Sequence, residues 1–134
     1  MIRIQKYREE LPWSPEPGVT IYLRRLTRKQ LRELYEKHSR GTGETELLVG
    51  EPARERVVLD VEGFTREALS LGIVRWEGVS LDGETPVGAD EEVEDPDTGK
   101  MTPARFCLPP HVLVQVEGVV TGRIPFREPH PGGV

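Results

Sequence analysis

The sequence predicts a small single-domain α+β fold, on three observations. An N-terminal stretch alternates apolar and polar residues, a capped segment follows with an apolar stripe at helical spacing, and two Gly-containing turn signals punctuate the second half. At 134 residues the chain is long enough to bury a core. The reading is one domain over 1–124 and an extended tail over 125–134, where PFREPHPGGV is too rich in proline and glycine to continue an element.

Residues 1–26 read as an antiparallel β-hairpin. Ile2 and Ile4 alternate with polar neighbours, and Val19, Ile21 and Leu23 share one face of VTIYLRRL. Between them LPWSPEPG, with prolines at 12, 15 and 17, reads as a wide loop. A helix is expected over 28–39. Thr27 and Gln30 form a capping box, Leu26 and Leu31 a hydrophobic staple, and Leu31, Leu34 and Tyr35 the buried stripe, with Gly41 as the stop. SRGTGETELLVGEPARE has no clear period and reads as a loop. Arg56 to Val61 fits strand or helix, and FTREALSLG is a short helix with Phe64, Ala68, Leu69 and Leu71 inward.

Asp82-Gly83 is a tight-turn pair and DPDTGK at 95–100 resembles a hairpin tip, so a second hairpin is expected around 79–106. Residues 110–121 fit both periods. Valines at 112, 114, 116, 119 and 120 favour a strand, whereas Pro109-Pro110 and the spacing of Leu113, Val116 and Val120 favour a helix. The helix count is therefore two or three. The expected core is Ile4, Ile21, Leu23, Leu31, Leu34, Tyr35, Phe64, Leu69, Ile73, Trp76, Val116 and Val120.

The net charge of -5 disfavours bulk binding of nucleic acid, although Arg24, Arg25, Arg28, Lys29, Arg32, Lys37 and Arg40 cluster near the first helix. The acidic counterpart runs from Asp90 to Asp97, a lopsidedness that suits docking to a partner or to a second copy. One cysteine, Cys107, excludes an internal disulfide, and no apolar run approaches the ~20 residues of a membrane span. A soluble, intracellular protein is expected. Asn is absent and Gln occurs only at 5, 30 and 115, which points to a thermophilic source.

No catalytic or cofactor motif emerges. His38, His111 and His130 are scattered without zinc-like spacing to Cys107, and GTGET at 41–45 lacks the lysine of a phosphate-binding loop. The Asp95 region fails as a calcium loop because Pro96 breaks the geometry. Cys107 has no obvious activating partner and reads as a small buried hydrophobe. Trp76 reads as a core anchor or an interface hot spot, and Trp13, on a Pro-rich loop, as the better exposed contact.

The order of YLRRLT, RKQLRELYEKH, VRWEGVSLDGETPV and LPPHVLVQVEGVV resembles the small tail assembly chaperones of long-tailed bacteriophages. Leu26-Thr27, Trp76, Gly78, Val79, Asp82, Gly83, Pro86 and Leu108-Pro109 carry the resemblance, within residues 19–122. It departs at Gly88 to Pro103, which replaces a shorter link, and in the valine-rich last segment. It implies a non-enzymatic holdase in the cytoplasm of the infected host, without cofactor, which binds tail-tube or tape-measure subunits and keeps their strand edges and coiled-coil seams from premature association. The expected partners are other phage structural proteins, with a second copy as a further candidate and neither membrane nor nucleic acid among them. Trp13, Arg28, Arg32, Trp76, Asp82 and Gly83 are the expected interaction residues, with Trp76 and the Asp82-Gly83 turn also expected to fix a corner of the fold. A virion structural protein, either a decoration or a head–tail connector subunit, is one alternative. A small acidic protein that modulates a host enzyme such as RNA polymerase is another.

Overall fold

A computed structural model describes residues 1–2, 9–47, 49–50 and 52–126. The elements run β1 (Leu11–Trp13), β2 (Thr20–Leu23), α1 (Arg28–His38), β3 (Ser39–Glu46), β4 (Arg54–Leu59), α2 (Val61–Gly72), β5 (Ile73–Glu77), β6 (Glu92–Glu94), β7 (Met101–Pro103), a 3-10 turn (Ala104–Phe106) and α3 (Pro110–Val120). The α+β class and the antiparallel hairpins are as the sequence predicts.

The central sheet has the order β1-β2-β5 and is antiparallel throughout. Its inward residues are Leu11, paired with Leu23, and Ile21, paired with Trp76. The hairpin is real, but its first strand is Leu11–Trp13, a stretch the sequence assigned to the loop. Pro12 is tolerated there because β1 is the outer strand of the sheet among the described residues, where a missing N–H breaks little. Ile4, the expected first-strand and core residue, lies outside the described residues, and Ile2 is exposed.

Helices α2 and α3 cover this sheet. Phe64, Ala68 and Leu69 of α2 and Val112, Val116, Val119 and Val120 of α3 are buried with Ile21, Leu23 and Ile73. The two helices meet closely at Gly72, where a Cβ would stand 2.4 Å from the Val120 methyls. The chain between β2 and α1 is fixed by Arg24 N–H to Gly72 O (2.7 Å) and Leu26 N–H to Val120 O (3.0 Å). Residues 110–121 are thus helical over Pro110–Val120. Pro110 suits a first turn, and burial of nearly every valine offsets their weak helix propensity.

In α1 the capping box forms in both directions, with Gln30 N–H to Thr27 Oγ1 at 3.1 Å and Thr27 N–H to Gln30 Oε1 at 2.9 Å. Leu34 is buried, whereas Leu31 is only partly covered and Tyr35 is exposed, its ring stacked on Phe64 at 4.7 Å. Gly41 is not the helix stop. The helix ends at His38 because Ser39 turns extended and pairs with Leu59. In α2, Leu71 faces solvent and not the core.

The expected loop over 39–55 is the largest correction. It holds β3 and the start of β4, an antiparallel ribbon. Residues 40–45 and 54–58 are exposed on both faces, so the ribbon lacks the one-sided apolar alternation that marks a half-buried strand. The second hairpin forms as β6 and β7 across DPDTGK. Val87, Ala89, Val93, Ala104 and Leu108 join the core from this region, all outside the expected list.

Candidate functional site

Of the residues singled out in the sequence, Trp76, Gly78, Val79, Asp82, Gly83, Pro86 and Leu108-Pro109 lie about one corner, whereas Leu26-Thr27 caps α1. Trp76, 9% exposed, lies in the core beside Ile21, and its indole Nε1–H donates to Val87 O at 2.6 Å. That bond ties β5 to the chain beyond the turn and is reinforced by Val87 N–H to Val79 O (3.0 Å). Gly78, between them, has φ +82°, and a Cβ there would lie 2.0 Å from the Gly18 carbonyl oxygen. Of the two roles the sequence left open, Trp76 occupies the packing one.

The Asp82-Gly83 turn projects from this corner. The Asp82 carboxylate accepts from the backbone N–H groups of Glu84 (2.9 Å) and Thr85 (2.8 Å), and these donors hold it below the usual carboxylate range. Gly83 N–H donates to Ser80 Oγ (2.9 Å). Leu108-Pro109 lies across from the corner, leading into α3. Between them runs an open groove of about 470 Å³ lined by Val19, Gly78, Ser80, Pro109, His111 and Val112.

Trp13 is half-buried on β1, opposite Ile21, and packs against the core. Arg28 and Arg32 are exposed on one face of α1. The six expected residues therefore do not converge. Trp76 supports the corner from beneath, Asp82 and Gly83 cap it, and Arg28 and Arg32 belong to a separate basic surface.

Sequence reasoning missed two features. The first is the β3–β4 ribbon, with Val57 61% and Val58 42% exposed and neither strand paired on its outer edge among the described residues. Its own ties are polar. Gly43 N–H donates to Glu55 Oε1 (2.9 Å), and Thr42 Oγ1–H donates to Arg56 O (3.1 Å). The adjacent valines in RERVVL were the available signal. The second is Arg105, buried, which donates from Nη1 to Ser70 O (2.9 Å) and Ile73 O (2.8 Å) and from Nη2 to Asp90. It locks the β6–β7 hairpin to the end of α2, and a lone arginine in sequence gives no sign of this.

Cys107 is partly buried against the core, and that burial raises its thiol pKa, which favours the protonated form and opposes nucleophilic use. Among the described residues no group of His, Cys, Asp and Glu is arranged to hold a metal ion, and no helix is long and apolar enough to cross a membrane. Comparison with known proteins finds no match: no family model covers the chain, and no curated protein or solved structure is significantly similar to it.

Proposed function

We propose that this protein is a non-enzymatic assembly factor of a long-tailed bacteriophage, acting in the cytoplasm of an infected thermophilic host. It binds tail-tube or tape-measure subunits before the tail is built. The observation that carries the reading is the β3–β4 ribbon. A two-stranded ribbon is marginal by itself in water, and this one presents exposed Val57 and Val58 and, among the described residues, unpaired outer strand edges. Such an edge offers main-chain hydrogen bonds to a client strand that would otherwise pair with its own kind. The groove at the Trp76 corner, bounded by Leu108-Pro109 and lined by both polar and apolar residues, gives a second contact with the same client.

The test is a tagged pull-down from infected cells at mid-to-late infection, with bound proteins identified by mass spectrometry, alongside the protein content of purified virions. Recovery of tail-tube or tape-measure protein, with this chain absent from particles, is the expected outcome. Recovery of capsid and neck proteins, or of host RNA polymerase, overturns the assignment.

A further inference from the structure

The charges of this chain are segregated. Residues 24–32 hold five cations, Arg24, Arg25, Arg28, Lys29 and Arg32, and no carboxylate. Residues 90–97 hold six carboxylates, Asp90, Glu91, Glu92, Glu94, Asp95 and Asp97, and no cation. Some of these are used internally. Arg25 donates to Val119 O and Ile124 O, Asp90 pairs with Arg105, and Asp95 accepts from Asp97 N–H in the hairpin turn. Arg24 is half-buried, whereas Arg28, Lys29 and Arg32 on one side and Glu91, Glu92, Glu94 and Asp97 on the other are exposed. Among the described residues no ion pair joins the two groups.

The basic group also breaks a local rule. The positive end of a helix dipole favours anions, and α2 obeys with Asp60 as its cap and Glu62 in its first turn. Helix α1 has no acidic residue in its first turn and places Arg28 and Lys29 there. Among the described residues neither side chain has an ion-pair or hydrogen-bond partner that offsets this placement, as expected of residues kept for a contact outside the chain.

We infer that the acidic β6–β7 hairpin of one copy docks on the basic N-terminal face of α1 in a second copy, so that the protein self-associates through opposite charges. The partner chemistry follows from complementarity. The basic face is small, and the chain as a whole is anionic, which repels phosphate polymers. The hairpin supplies carboxylates at rigid positions. Glu92 and Glu94 flank buried Val93 on β6 and project to the same side. A contact between two different patches is heterologous, so it closes into a ring or extends, according to the rotation between neighbours.

Sedimentation velocity at about 20 mM and about 300 mM NaCl tests this, since screening shortens the reach of exposed charges severalfold over that range. Wild type should associate with rising concentration at low salt and dissociate at high salt. Arg28→Glu/Arg32→Glu and Glu92→Lys/Glu94→Lys should each be monomeric alone, yet associate when mixed, because each variant then offers the charge its partner lacks. Arg28→Glu also places an anion at the favourable end of α1, so the first variant should melt no lower than wild type. If it does melt lower, Arg28→Gln/Arg32→Gln replaces it and should still fail to associate with itself. Wild type that stays monomeric at low salt, or a mixture that does not associate, overturns the inference. A wild type that remains monomeric while binding a duplex oligonucleotide overturns it too, and gives the basic face to phosphates.

Discussion

Gly78 and Gly83 sit on the same corner, at φ +82° and +87°, but only Gly78 is enclosed. An L residue in the left-handed region costs about 1–2 kcal/mol at either position. At Gly78 the new Cβ would also run into the Gly18 carbonyl, backbone that cannot swing aside, whereas nothing lies within 4 Å of a Cβ at Gly83. Gly78→Ala is therefore expected to lose at least about 2 kcal/mol, and Gly83→Ala about half as much, read from urea midpoints at pH 7. Equal losses would show that β5 and the Gly18 loop separate easily, and would remove the argument that Gly78 sets their approach. The residue scale also explains why the resemblance motif is so short. Leu26-Thr27 caps and staples a helix, Trp76 satisfies Val87 O, and Asp82 closes a turn, so each residue answers a local backbone need.

At the scale of elements, the ribbon and the body obey different rules. Val57 and Val58 are exposed, so replacing both by Thr keeps β-branched stiffness and changes stability by no more than about 0.5 kcal/mol. On the proposed function the same double variant should recover markedly less tail protein from infected cells, with thermal melting unchanged. Undiminished recovery would move the client from the ribbon to the groove beside Trp76. The contrast also explains what was legible in the sequence. Helix α1 was readable to within a residue because its cap is encoded locally, although of its expected stripe only Leu34 is buried. The ribbon was not, because both its faces meet solvent and its order rests on main-chain pairing and on Glu55 reaching Gly43. For α3 the choice between strand and helix depended on the burial of Val112, Val116, Val119 and Val120 against α2 and the sheet, a tertiary contact that valine propensity alone does not reveal. The corner residues were picked out, but their separation from Arg28 and Arg32 is a property of the tertiary fold.

Across the whole molecule, the helices are joined by a charge cluster as well as by the core. Glu67 on α2 accepts a hydrogen bond from Lys37 of α1 and lies 3.6 Å from His38 Nε2. The Lys37 bond, its largest influence, holds the Glu67 carboxyl below its ordinary value against a smaller opposing effect of burial. A carboxylate lowered in the folded state binds its proton more readily when unfolded. Its contribution is therefore complete above the unfolded value of about 4.3 and is lost as pH falls through the folded one. Glu67 is 30% exposed and Lys37 64%, so the pair is worth no more than about 1 kcal/mol. Glu67→Gln should thus be less stable than wild type by up to about that amount at pH 7, and the two should converge as pH is lowered toward 3. Urea midpoints at pH 7, 5 and 3 measure the gap. A gap that persists at pH 3 would mean that Glu67 stabilises the α1–α2 contact by packing and not by charge.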